Sequence, residues 1–167
     1  MFELFITMIE KPLVTVITVC YNAVSLIEKT IRSVLAQQYE HIEYIVVDGG
    51  STDGTIEIIR KYEAHISHWI TEQDEGIYDA MNKGVAMATG EWCIFLNAGD
   101  TFAAYDVLNR IFQVPREADV IYGDVVKNGT VKVAEPPHNS HRMYFCHQSC
   151  LTRTACLRTF PYDTSHR

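Results

Sequence analysis

Acids and amides recur in this sequence at four short breaks, each closing a run of β-branched or apolar residues. The breaks are Thr18-Val19-Cys20-Tyr21-Asn22, Asp48-Gly49-Gly50-Ser51-Thr52-Asp53, Glu72-Gln73-Asp74-Glu75-Gly76 and Asn97-Ala98-Gly99-Asp100. Any one of them is explained by loop geometry, for which Gly, Asn and Asp suffice. Four in succession point instead to a shared rim that binds something. An acid-rich rim without an anion-binding glycine nest repels phosphate unless a divalent cation intervenes. Mg²⁺ or Mn²⁺, held by one or two carboxylates and by the substrate's own phosphates, is the usual solution. Asp100 is the best-placed carboxylate for that metal, and Asp48 is suited to a base or ribose hydroxyl. A Gly-x-Gly-x-x-Gly fingerprint and a Gly-x-x-x-x-Gly-Lys-Ser/Thr phosphate loop are both absent. Nor is Cys20-Tyr21-Asn22-Ala23 the basic, glycine-rich loop that a nucleotidyltransferase would place after its first strand.

The elements that must position these breaks alternate in type. Leu13 to Val19, Glu43 to Val47, Ile66 to Thr71 and Trp92 to Leu96 read as buried strands. Between them lie helical patterns. Ile27, Ile31, Val34 and Leu35 share one face, as do Ile56 and Ile59 in a helix capped by Thr52 or Asp53 and ending near Tyr62. Ile77, Ala80, Met81, Gly84, Val85 and Ala88 follow the 3.6 period most clearly, with Gly90 as a stop. Strands alternating with helices predict an α/β fold: a mixed, mostly parallel sheet with helices on both faces and ligands at the carboxyl ends of the strands. Past Asp100 the pattern changes. Val120 to Val126 and Thr130 to Ala134 flank Asn128-Gly129, a hairpin signal; Pro136-Pro137 opens a loop, and Phe145 to Leu151 reads as a last strand.

Composition limits the partners. Among 167 residues, 47% are hydrophobic and 21% charged, as in a globular protein with a real core. Fourteen basic against twenty-one acidic residues give a net charge of −7, which argues against broad nucleic-acid or anionic-lipid binding. The five cysteines are odd in number and lie mostly in apolar segments, which suits a reducing cytoplasm. Met1-Phe2-Glu3-Leu4-Phe5-Ile6 is a poor secretory signal, and no apolar run reaches the roughly 18 residues needed to span a bilayer. The expectation is a cytoplasmic protein able to sit peripherally at the inner face of a membrane.

The segments Val14 to Asn22 and Thr30-Ile31-Arg32-Ser33-Val34-Leu35-Ala36-Gln37-Gln38-Tyr39 resemble the opening of family 2 glycosyltransferases. Tyr44-Ile45-Val46-Val47-Asp48-Gly49-Gly50-Ser51-Thr52-Asp53-Gly54-Thr55 resembles their second signature. Asp74-Glu75-Gly76-Ile77-Tyr78-Asp79-Ala80-Met81-Asn82-Lys83-Gly84 is similar to bacterial exopolysaccharide and colanic-acid-type members. The resemblance implies a single GT-A (Rossmann-like) domain over 1–167, with 12–102 as the nucleotide-sugar donor half and 103–167 as the start of an acceptor side. It implies sugar transfer from a nucleotide diphosphate sugar to a saccharide or lipid-linked acceptor in polysaccharide biosynthesis, with inversion. Thr18, Tyr21 and Asp48 would line the nucleoside pocket, and Asp79, Asn82 and Lys83 would lie near the diphosphate or sugar.

Two departures stand out. Where the family has Asp-x-Asp, this chain has Asn97-Ala98-Gly99-Asp100, so Asp100 supplies the carboxylate and Asn97 a neutral helper. The family's general base lies on the acceptor side, begun here by Phe145-Cys146-His147-Gln148-Ser149 and approached at Tyr162-Asp163, and the chain stops at Arg167. Asp124 is the one in-chain candidate for catalytic base, against a plain turn role, and His147 is a candidate acceptor-side or phosphate contact, against a structural one. The competing expectation is a donor-binding module without turnover. Cys146-His147-x-x-Cys150 with Cys156 matches no familiar zinc spacing, and Trp69 and Trp92, inside strand patterns, read as core.

Overall fold

The structure, a computed structural model, describes residues 10–135 and 146–165. Four strands follow the alternating pattern: β1 (Val14–Cys20), β2 (Ile42–Asp48), β3 (His68–Thr71) and β4 (Trp92–Phe95). Between them run α1 (Ile27–Leu35), α2 (Thr55–Lys61) and α3 (Ile77–Met87). Beyond them come α4 (Val107–Ile111), β5 (Val120–Tyr122), β6 (Val125–Lys127), β7 (Thr130–Lys132), β8 (Cys150–Arg153) and α5 (Thr154–Thr159).

The main sheet has the order β3-β2-β1-β4-β8-β5. The first three pairings are parallel, as βαβ crossovers require, and β8 pairs antiparallel with both β4 and β5. Strand alternation divides the core into two layers. Val14, Val16 and Cys20 pack with Ile27, Ile31 and Val34 of α1, Ile59 of α2 and Leu108 of α4. Ile17, Val19, Ile45 and Val47 pack with Ala80, Met81 and Val85 of α3. Helices thus cover both faces. The closest approach is at Gly84, where a Cβ would stand 2.5 Å from Ile17 Cγ2.

Several expected details differ. Leu35 and Ile77, at helix ends that overhang the sheet, are 40% and 50% exposed. Ile56 is only partly buried, because α2 faces the core through Thr55 and Ile59. α2 starts at Thr55 after Gly54 (φ 101°), and Asp53 Oδ1 accepts from the Thr55 N–H at 3.0 Å, so the expected cap acts one residue inside the loop. The expected strand 120–126 is broken at Gly123-Asp124, where the Gly123 N–H turns to the Ser149 carbonyl at 3.1 Å. Its halves join different sheets: β5 enters the main one, and β6 pairs with β7 across Asn128-Gly129, both at positive φ as a tight hairpin turn demands. The last strand begins at Cys150 after a 3₁₀ turn at His147–Ser149. The start of that expected strand at Phe145, and Pro136-Pro137, lie outside the described residues. Trp92 is buried and Trp69 partly so, both in the core layer of α1. Among the described residues no helix is long and apolar enough to cross a membrane.

Candidate functional site

The carboxyl ends of β1, β2 and β3, with the loop after β4, form one rim, and much of its polarity is spent on holding the rim together. Asp48 is fully buried. Its Oδ2 accepts from the N–H groups of Gly50 (3.1 Å) and Ser51 (2.9 Å) and from Thr71 Oγ1 (2.7 Å), while Oδ1 accepts from Ser51 Oγ (2.5 Å). The loop after β1 is tied to the same segment. The Asn22 N–H donates to Ser51 Oγ (2.8 Å), the Ala23 N–H to Thr55 Oγ1 (2.8 Å) and the Val24 N–H to Asp53 Oδ2 (3.0 Å). Asn22 Oδ1 accepts from the Thr52 N–H at 2.9 Å, and its φ of 46° shapes the turn. Thr18 is fully buried, its hydroxyl donating to the Leu96 carbonyl at 2.9 Å with Tyr44 Oη at 3.1 Å.

What this scaffold leaves facing outward forms two clefts. The first, of about 510 Å³, is bounded by Tyr21, Gly49, Gly50 and the β3–α3 loop from Gln73 to Gly76. Tyr21 is 65% exposed. A side chain on Gly49 would have to displace the Asp74 carboxylate, which occupies that space beside the Tyr21 ring. The second cleft, of about 820 Å³, contains Lys29, Asp100, Asp124, Lys127 and Gln148 in its wall.

Asp100 is positioned from α1. Thr30 Oγ1 donates to the Asp100 carbonyl (2.8 Å) and accepts from the Gly99 N–H (2.9 Å), with Gly99 at φ 101°. Burial pushes the Asp100 carboxyl above the usual aspartate range, offset in part by a hydrogen bond from Gln148 and by the charge of Lys29. Asn97 Oδ1 is buried without a hydrogen-bond partner. Among the described residues no three His, Cys, Asp or Glu side chains gather into a metal cluster. Mg²⁺ or Mn²⁺ needs no such cluster when substrate phosphates and water complete its shell. The Asp100 carboxylate in the cleft wall is the oxygen donor a hard cation takes, whereas the buried Asn97 Oδ1 is not part of that wall.

The other expected residues divide. Asp124 shares the cleft of Asp100, but its Oδ1 accepts from the Ala134 N–H at 2.9 Å. Asp79 and Lys83 pair at 3.1 Å, and Lys83 also reaches Glu72 at 2.9 Å; the Glu75 N–H and then Lys83 lower the Asp79 carboxyl, while Glu72 and then Asp79 raise the Lys83 ammonium. Asn82 lines neither cleft, and its amide is spent on Tyr162: Nδ2 donates to the Tyr162 carbonyl and Oδ1 accepts from the Tyr162 N–H, each at 2.9 Å. His147 lines neither cleft. Its Nε2 lies 2.8 Å from Tyr162 Oη and its ring stacks on Phe95, and burial lowers its pKa. The Cys146 thiol donates to Gln148 Oε1 at 2.8 Å, and Cys150 Sγ lies 3.6 Å from Thr152 Oγ1. Sequence reasoning assigned no role to Asp74, Lys29 or Gln148. Asp74 lay in plain view in an acid run, whereas Lys29 and Gln148 carry no local signal.

The family model described as Glycosyl transferase family 2 matches residues 15–165, nearly the whole chain. The chain belongs to glycosyl transferase family 2. One relative of this family 2 chain is the PGL/p-HBAD biosynthesis glycosyltransferase of Mycobacterium bovis, 31% identical over 167 aligned residues. The match covers 93% of this chain and 65% of that protein, so the chain spans just under two thirds of the relative's length. Among solved structures, the mannosyltransferase PcManGT from Pyrobaculum calidifontis, in complex with GDP-Man and Mn²⁺, superposes with a TM-score of 0.73 at 23% identity, over 93% of this chain and 49% of that one. S. aureus TarS 1-349 superposes with a TM-score of 0.76 at 22% identity, over 91% of this chain and 50% of that one. At such identities the likeness speaks to the fold, and the mixed, mostly parallel sheet expected from the sequence is the one these proteins share.

Proposed function

We propose that this family 2 chain binds a nucleotide diphosphate sugar and carries the donor half of a glycosyltransferase acting in bacterial polysaccharide biosynthesis, with a saccharide or lipid-linked acceptor. Residues 12–102 form the donor half, and 103–167 begin the acceptor side. The observation that carries this reading is the division of labour at the rim. Asp48, Ser51 and Asp53 fix the loops, which leaves Tyr21 and the Gly49-Gly50 floor open to a nucleoside and Asp100 open to a diphosphate. PcManGT, solved with GDP-Man and Mn²⁺, supports the same assignment of ligand and metal class. A divalent ion at Asp100 would supply charge neutralisation for the departing diphosphate. Asp100 would hold that ion, with Lys29 moderating its carboxyl, and transfer would be a direct displacement with inversion: the acceptor oxygen bonds to the anomeric carbon as the diphosphate leaves, and the acceptor proton passes to a carboxylate base on the acceptor side.

Calorimetry with UDP and GDP, with and without Mn²⁺, tests the reading. The Asp100→Ala variant is expected to lose the Mn²⁺-dependent part of binding, and unchanged binding sinks the assignment. A second reading, a donor-binding module without turnover, is favoured by Asp124. It is the only other acid in the larger cleft among the described residues, and its Oδ1 is already engaged by a backbone N–H. Binding of the bare diphosphates with no hydrolysis or transfer from a panel of nucleotide sugars would select it.

A further inference from the structure

The smaller cleft contains a carboxylate in an unusual position. Asp74 comes from the β3–α3 loop, yet its carboxylate lies where a side chain on Gly49 would otherwise stand, next to the Tyr21 ring. Its Oδ1 is committed, accepting from the Gly76 N–H at 3.0 Å. Oδ2 enters no hydrogen bond within the described residues and belongs to the wall of the cleft. Gln73 and Glu75 flank it, but both are exposed, whereas Asp74 is half-buried and fixed by the Gly76 contact and by the floor at Gly49.

One fixed, acceptor-only oxygen in a cleft walled by an aromatic ring imposes a chemical choice on a planar base. Uracil and guanine each carry an imino N–H on the pairing edge (N3–H and N1–H), which such an oxygen accepts. Cytosine and adenine present a bare ring nitrogen at the corresponding place, so two acceptors would face each other. A site built around a hydrogen bond rejects the analogue that lacks the donor far more strongly than an apolar pocket rejects a change of size. We propose that Asp74 is the specificity-determining residue for the nucleobase, selecting nucleoside diphosphates with an imino N–H over those with an unprotonated ring nitrogen. This rests on the donor-site reading above.

The experiment is calorimetry of the whole chain in Mn²⁺ with UDP, GDP, CDP and ADP, repeated on Asp74→Asn. Asn keeps an oxygen for the Gly76 N–H and turns an N–H₂ toward the base, so it changes the sign of the contact and not its size. The wild type is expected to bind UDP and GDP roughly 10- to 100-fold tighter than CDP and ADP, the range for a hydrogen bond to a charged group made or left unmade. Asp74→Asn is expected to narrow or reverse that ranking, with an unchanged circular dichroism spectrum. If the four diphosphates bind and Asp74→Asn leaves their ranking as it was, the base is read elsewhere and Asp74 is a loop residue, while the donor reading stands. If none of the four binds the wild type, the donor reading itself falls, and this inference with it.

Discussion

Thr71 Oγ1 at the end of β3 donates to Asp48 Oδ2 at the end of β2 over 2.7 Å, so two neighbouring strand ends are joined through a carboxylate with no exposed surface. Asp48 therefore acts on the smaller cleft through the loop it shapes. Removing it strands four N–H and O–H donors and the Cys20 thiol around a buried position. Asp48→Ala is expected to cost about 3 kcal/mol of unfolding free energy. Urea denaturation measures this, and a loss below about 0.5 kcal/mol would contradict the stapling role.

Gly84 sets the distance between α3 and the sheet. Alanine in a helix interior gains about 1 kcal/mol over glycine. Here the added methyl would meet Ile17 Cγ2 at 2.5 Å and Val47 Cγ2 at 3.6 Å, both on strands with no room to yield. Overpacking of that kind costs roughly 1–3 kcal/mol. The clash wins, and Gly84→Ala should lower the urea midpoint; a raised midpoint would show that α3 can lift.

Asn82 holds Tyr162 by its backbone, and Tyr78 stacks on the same residue with ring centroids 5.6 Å apart. Asn82→Ala should speed hydrogen exchange at the Tyr162 amide while leaving UDP affinity within about two-fold. The opposite pair of results, slow exchange with a large loss of affinity, would return Asn82 to the donor site.

Acid should affect the proposed metal site at Asp100 early. Burial raises the Asp100 carboxyl above the usual aspartate range, so the folded protein takes up this proton more readily than the unfolded chain does. Linkage then has falling pH favour the folded state through this group, while the cation loses its ligand. Mn²⁺-dependent UDP binding is expected to fade on acidification before the ordinary aspartate range is reached. Lys29→Met, which removes the charge that opposes the shift, should move the loss to still higher pH. A midpoint unaffected by Lys29→Met would separate the two residues.

The parallel half of the fold was legible because each of its elements has a one-dimensional signature. β1, β2 and β4 are apolar runs, and α3 has a 3.6 period closed by Gly90. α4 and α5, with five and six residues, are too short to show a period, and their place comes from docking Leu108 and Leu157 on the sheet. At the rim the sequence shows which residues are polar, but not which way they face. Asp48 and Asp100 look alike in their motifs. Only the fold makes one a buried staple and leaves the other in a cleft. Asp74 illustrates the converse, since its proximity to Gly49 arises from two loops more than twenty residues apart.

The strand order has a consequence for how the chain assembles during synthesis. β5 meets the main sheet only through β8, which is inserted between it and β4. Residues 120–122 therefore leave the ribosome well before the strand that will receive them at 150–153. During that interval the outer edge of β4 is open, with Trp92 and Ile94 on it. Each strand of the parallel half meets an earlier strand as it emerges, whereas β5 has no partner in the main sheet until β8 is made, which leaves both edges exposed to misassembly for that interval.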